Sequence, residues 1–94
     1  MLTFYVYILK CSDGSYYTGH TNDMEKRLAE HQLGVFDSYT SQRLPVDLVF
    51  VKTCGTRYEA IDAEFKIKRW NRNKKTALIE SNWDNLTNAA KKKF

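Results

Sequence analysis

The stretch FYVYILKCSDGSYYTGH, running from Phe4 to His20, decides the fold. Its first half, Phe4 to Lys10, is an apolar and aromatic run of the length expected for a strand covered on both faces. The second half, Ser15 to Gly19, is rich in aromatic and hydroxyl residues, as a hairpin partner should be. Asp13-Gly14 marks the reversal. If those two residues alone formed the loop, Lys10 would face Tyr17, and Tyr7 and Tyr17 would lie on opposite faces of the sheet. A three-residue loop, Ser12-Asp13-Gly14 with Gly14 in the left-handed position of a bulge, shifts the register by one. Leu9 then faces Tyr17 and Tyr7 faces Gly19. We prefer this register because it gathers Tyr7, Tyr17 and Gly19 on one face, where a glycine opposite a tyrosine leaves room for a ligand.

Downstream, Thr21, Asn22 and Asp23 are N-cap candidates for a helix reaching about Leu33, with Gly34 as its stop. Met24, Arg27, Leu28 and His31 fall at i, i+3, i+4 and i+7 of that helix and form its inward stripe. Packing alone would ask for Leu or Ala where Arg27 and His31 stand, so the stripe is expected to face a polar cleft at one edge. Two long side chains snorkelling at a core margin would give the same pattern. A polar connection from Val35 to Arg43 leads through Leu44-Pro45 to a third strand, Val46 to Thr53, with Pro45 as an edge marker and Gly55 as the end. Tyr58 to Asn73 reads as the longest helix. Tyr58, Ile61 and Phe65 lie on one side of it, Ala60, Ala63, Ile67 and Trp70 on the other, and Glu64 between the two sets. A shorter helix, Lys75 to Glu80, follows, with Trp83 and Leu86 expected to fold back on the core and Asn88 to Phe94 loosely held.

The pattern is an α/β chain of the α+β type: a small three-stranded antiparallel sheet flanked by helices. At 94 residues and 11.0 kDa there is apolar material for one modest core, so residues 1–94 are read as a single domain, with the core over about 1–86 and a basic tail over 87–94. Cys11 and Cys54 are too few for a disulfide scaffold and match no zinc spacing; buried thiols in a reducing cytosol are expected. The longest apolar stretch, Phe4 to Leu9, is far short of a membrane span, and no basic segment precedes it as in a secretion signal. A cytoplasmic location follows as the expectation.

The formal charge of +4 is unevenly spread. Residues 1–47 hold four Lys/Arg against six Asp/Glu, and residues 48–94 hold eleven against five. Lys66, Lys68, Arg69, Arg72, Lys74 and Lys75 occur with no acidic residue among them, and Lys91-Lys92-Lys93 adds to the excess. Such a face is an electrostatic footprint for a polyanion, although a solvated helix face gives the same composition.

Taken together, Tyr5-Val6-Tyr7, Tyr17-Thr18-Gly19, Arg27, His31 and Glu64 form an ordered set that resembles the GIY-YIG nuclease family. The two triplets match the signature elements, Arg27 matches an arginine eight residues beyond the second glycine, and Glu64 matches the metal-binding glutamate. Tyr39-Thr40, Arg43-Leu44-Pro45, Ala63 to Trp70 and Lys74 to Glu80 are similar to small single-domain bacterial members. The resemblance implies a metal-dependent endonuclease that cuts a nucleic-acid phosphodiester, in DNA rather than RNA, using one Mg²⁺ or Mn²⁺ ion held by Glu64. It also implies Tyr7 as general base, a phenol that needs help from His31 or the metal near neutrality, while Arg27 can clamp the phosphate and Tyr17 position the phosphate or the water. His20 stands where some members, such as the excision-repair incision subunit, carry lysine. An asparagine found downstream of the glutamate in several members has no clear match; Thr76 falls near that place.

The chemistry asks for these residue types on its own terms. In-line displacement at a phosphate needs an activated water, a Lewis acid and positive charge for the developing dianion, and one glutamate suits one hard cation that keeps most of its waters. His20, Arg43, Lys68, Arg69, Arg72, Lys74 and Lys75 are the candidate nucleic-acid contacts. Such residues position a backbone without reading bases, so low sequence specificity is expected unless a protein partner supplies it, in a repair or recombination setting. The alternative is a non-catalytic nucleic-acid-binding module that keeps the nuclease fold.

Overall fold

The computed structural model describes residues 3–35 and 39–81. Trp83, Leu86 and the basic tail lie outside the described residues. Three strands, β1 (Phe4–Lys10), β2 (Tyr16–Thr21) and β3 (Asp47–Cys54), form an antiparallel sheet in the order β2-β1-β3. The helices are α1 (Met24–Leu33), α2 (Arg57–Lys68) and a third, α3, over 72–81.

The hairpin adopts the three-residue loop. Leu9 pairs with Tyr17 and Tyr7 with Gly19, while Cys11 and Ser15 close the loop through a backbone bond of 2.8 Å from Cys11 N–H to Ser15 C=O. Gly14 has φ +85°, a conformation that costs other residues a clash with the following carbonyl. Asp13 holds the turn with its side chain, which accepts from the Ser15 N–H at 3.0 Å.

The central position of β1 explains its composition. Val6, Tyr7, Ile8 and Leu9 all have no exposed surface, because alternate residues enter two different cores. Phe4, Val6 and Ile8 join Phe50, Cys54, Ala60, Ile67 and Ile79 beneath α2 and α3. On the opposite face, Tyr7, Leu9, Cys11 and Val46 pack with Tyr17, Met24 and Leu28, which brings α1 over that face. Both cysteines are buried free thiols.

The α1 boundaries match their sequence signals. Asp23 is the N-cap, accepting from the Lys26 N–H at 3.1 Å, and Gly34 ends the helix at φ +68°. The third strand begins and ends one residue later than its pattern suggests, at Asp47 and Cys54, and a bulge between Ile8 and Leu9 absorbs Val49. The helix expected over Lys75 to Glu80 begins earlier, at the expense of the long helix expected over Tyr58 to Asn73. The long helix stops at Lys68, the chain tightens through Arg69 and Trp70, and α3 starts at residue 72. The Asn71 side chain causes the break: its oxygen accepts from the Lys74 N–H at 2.9 Å, capping a new helix and outcompeting continuation of the old one. Of the two apolar sides of α2, only that of Ala60 and Ile67 is buried; Tyr58, Ile61 and Phe65 face outward.

Replacing Gly14 by Ala tests the turn in isolation, because a Cβ there meets nothing within 4 Å. The conformational penalty alone is expected to cost about 1 kcal/mol, read as a lower urea midpoint at unchanged slope.

Candidate active site

Gly19 is the opening on which the site depends. A Cβ at that position would stand 2.6 Å from the Tyr7 hydroxyl and 2.7 Å from the ring carbon bearing it. Only a residue without a side chain lets the Tyr7 phenol lie across β2, toward the open edge of the sheet. There the hydroxyl oxygen lies 2.9 Å from His31 Nε2, and His31 Nδ1 lies 2.8 Å from Thr40 Oγ1. All three side chains are buried. Tyr7 comes from the central strand, His31 from the last turn of α1, and Thr40 from the connection that follows it.

Tyr17 completes an aromatic wall. Its ring centre is 5.2 Å from that of His31, edge-on, and 6.4 Å from that of Tyr7, and on its outer side it stacks with Tyr39 at 6.5 Å. Arg27, one turn before His31 on α1, donates to the backbone carbonyl of His20 at 3.4 Å and pairs with Glu30 at 3.4 Å. Burial, with a smaller contribution from Tyr17, pushes the Tyr7 phenol up to about 12; a hydrogen bond and the charge of Arg27 work the other way. Burial and then the Arg27 charge hold the His31 imidazole below its ordinary value of 6.5, with Glu30 partly opposing them. Tyr7 and His31 are therefore both neutral near pH 7. A neutral imidazole can donate from one nitrogen and accept at the other, so His31 can bond Tyr7 and Thr40 at once.

Glu64 reaches the same edge from the other face. It is carried by α2, beneath the face that also holds Val6 and His20. One carboxylate oxygen is 3.0 Å from His20 Nδ1, and the other is 3.5 Å from Lys68 Nζ. The i, i+4 pairing with Lys68 expected of a helix surface is present, but the shorter contact is to the histidine across the sheet edge. The Glu64 charge is felt at Tyr7, whose phenol it raises further. A cavity of about 320 Å³ opens at this end of the sheet, lined by Phe4, His20, Thr21, Asn22, Arg27 and Arg57. Among the described residues no group of three or more His, Cys, Asp and Glu stands together. A half-buried carboxylate beside a water-accessible cavity fits a single hard cation that retains most of its waters.

The structure thus brings Tyr7, Tyr17, Arg27 and His31 together on one side and sets Glu64 with His20 at the rim. Of the basic candidates, Lys68 is taken up by Glu64. Arg43 lies 3.7 Å over the Tyr39 ring and pairs with Asp13 at 3.0 Å, and Arg72 lies over Tyr16 and donates to the Gly14 carbonyl at 2.8 Å. Arg69 and Lys74 sit over Phe65 and Trp70, and Lys75 is half-buried near the start of α3. Two further residues at the site were not read as site residues from the sequence, although Thr40 lies in a segment that carries the resemblance. Thr40 lies in a polar connection where one hydroxyl looks like another, and Arg57 opens α2 with no spacing that ties it to Arg27.

Comparison with known proteins bears on the family and the fold. Residues 3–77 match the GIY-YIG catalytic domain. A UPF0213 protein of Bacillus pumilus is 46% identical over 76 residues, covering 81% of this chain and 78% of its own. Another, from Staphylococcus saprophyticus, is 47% identical over 80% of this chain and 92% of its own. Among solved structures, the solution NMR structure of a protein from E. faecalis is similar at 36% identity and TM-score 0.60, covering 86% of each chain. That of a UPF0213 protein from Bacillus halodurans is similar at 39% identity and TM-score 0.56, covering 84% of each. No helix among the described residues is long and apolar enough to cross a membrane.

Two measurements test the geometry. Gly19→Ala is expected to drive the Tyr7 phenol from His31 and to cost about 1–3 kcal/mol, as overpacking does; unchanged stability would contradict the close approach. The second concerns pH. His31 binds its proton less readily in the folded state than the ordinary 6.5, so its contribution to stability is present above 6.5 and is lost as pH falls through the lower, folded value. NMR titration of the His31 ring should give that lower midpoint.

Proposed function

The chain belongs to the GIY-YIG catalytic-domain family, and from that premise we propose that it is an endonuclease hydrolysing nucleic-acid phosphodiester bonds with the help of one divalent cation. The observation that carries this reading is the buried path from Thr40 through His31 to Tyr7, whose hydroxyl lies beside Arg27. A purely structural cluster would not need a titratable imidazole between two hydroxyls in the core.

At about 12 the Tyr7 phenol does not ionise by itself near neutrality, so the relay is concerted. As a water attacks phosphorus and the bond from phosphorus to the leaving oxygen breaks, the water's proton passes to Tyr7 Oη while the phenol's own proton moves to His31 Nε2, and the leaving oxygen takes a proton from solvent. This calls for the His31 tautomer that carries its proton on Nδ1, facing Thr40, and leaves Nε2 to accept. Arg27 and Arg57, both lining the cavity, draw in the non-bridging oxygens with forked, charge-assisted contacts. Tyr17 braces the imidazole. Glu64 would hold Mg²⁺ or Mn²⁺, which supplies Lewis-acid stabilisation to the phosphate.

DNA is the favoured substrate, in a repair or recombination role. Low sequence specificity follows from a surface whose basic side chains, Arg43, Arg69, Arg72 and Lys74, are positioned by aromatic rings to meet a backbone. A partner protein is the proposed source of any greater selectivity.

The test offers single-stranded, duplex, nicked and branched DNA, and the matching RNAs, with Mg²⁺ or Mn²⁺. Cleavage should require the metal, and Glu64→Ala or Tyr7→Phe should slow it by about 10²–10⁴-fold. Full activity of Glu64→Ala would sink the mechanism, and salt-sensitive binding without cleavage would support the binding-module reading instead. The rate should also fall on the acid side, below pH 6.5, as His31 takes up a proton.

A further inference from the structure

His20 is an unusual neighbour for the Glu64 carboxylate. It belongs to β2, Glu64 to α2, and they meet at 3.0 Å through Nδ1 and Oε1 while Lys68 takes the other carboxylate oxygen. An ordinary solvated glutamate on a helix would be satisfied by Lys68 alone. Here the imidazole of a neighbouring strand is aimed at the same group, and His20 also forms part of the cavity wall that Arg27 and Arg57 line.

From this geometry we propose that His20 Nδ1 is a second protein ligand of the cation held by Glu64, and that it shifts the preference of the site from Mg²⁺ toward Mn²⁺ and related first-row ions. The inference rests on the metal-dependent reading of the site given above. Two neighbouring ligands of an octahedral ion with bonds of about 2.1 Å stand roughly 3.0 Å apart, which is the separation of His20 Nδ1 and Glu64 Oε1. The pair therefore needs little rearrangement to share one ion, which would take the place of the proton between them. The charge balance agrees, since one carboxylate and one neutral imidazole leave one of the ion's two positive charges for water and phosphate oxygens.

Ligand chemistry gives the preference. Mg²⁺ takes oxygen donors almost exclusively, whereas first-row transition ions accept imidazole readily. An imidazole beside the carboxylate adds affinity for the second group and little for the first. The cavity leaves room for the remaining positions to be filled by water, and no third protein ligand is offered among the described residues. His31 cannot fill the same role, because it is buried and both its nitrogens are engaged by Tyr7 and Thr40.

The experiment is pulsed EPR on the full-length chain loaded with Mn²⁺, alongside calorimetric affinities for Mn²⁺ and Mg²⁺. The chain contains two histidines, so a directly coordinated ¹⁴N should appear in the wild-type echo modulation and vanish in His20→Asn. The same variant should bind Mn²⁺ about tenfold more weakly, with Mg²⁺ affinity nearly unchanged. Binding of Mn²⁺ that depends on Glu64 but shows no ¹⁴N coupling would overturn the role of His20 and leave the Glu64 reading standing. Mn²⁺ binding indifferent to Glu64→Ala would overturn both. The wild-type spectrum carries the test even if a variant fails to fold.

Discussion

A tyrosine ring crossing a strand at the one residue with no side chain is the constraint from which the rest of the site follows. Tyr7 is rooted in the centre of the sheet, where its ring has no exposed surface, yet its hydroxyl has to reach the edge of β2. With a side chain at position 19 that path would be closed. With glycine there, the hydroxyl is delivered beside His31, and a core residue presents a polar group at the sheet edge. Burial is what raises the phenol and lowers the imidazole, so the packing that fixes their positions also fixes their protonation.

The two faces of the sheet then divide the work. The side covered by α1 carries Tyr7, Tyr17 and His31, a water-excluding wall of rings with proton-transfer capacity. The side covered by α2 carries His20 and Glu64, which are hydrophilic and half-exposed. They meet around the free edge of β2, with Arg27 spanning the gap by its contact to the His20 carbonyl. An edge strand is what makes this convergence accessible, because a strand paired on both sides would separate the faces by further sheet. Arg27 also occupies a backbone acceptor that would otherwise invite another strand to pair there.

Much of this was legible in the residues. The hairpin register followed from turn chemistry together with the need to put two tyrosines on one face, and α1 followed from Asp23, Gly34 and its periodic stripe. Arg27 and His31 stood out because they interrupt that stripe with polar groups. A break between α2 and α3 was expected, but its place was harder to see, since basic and apolar residues continue with helical spacing past Lys68; a side-chain cap at Asn71, worth about 1 kcal/mol, sets it further upstream. Thr40 reaches His31, and Arg57 the cavity wall, through the tertiary fold, with no local pattern to announce it. The pairing of His20 with Glu64 is of the same kind, made across 44 positions of chain.

The tip of the hairpin has a bearing on how such a chain can change over time. Ser12 N–H bonds to the Arg43 carbonyl at 2.9 Å, Arg43 N–H to the Thr40 carbonyl at 3.0 Å, and the Arg43 side chain to Asp13. The loop between β1 and β2 is thereby tied to the segment that carries Thr40, and through Thr40 to the imidazole. Loop tips are ordinarily where insertions accumulate without consequence. In this molecule the tip is a strut: lengthening it would leave the sheet intact while misaligning His31, so drift there would be screened by chemistry before it was screened by folding.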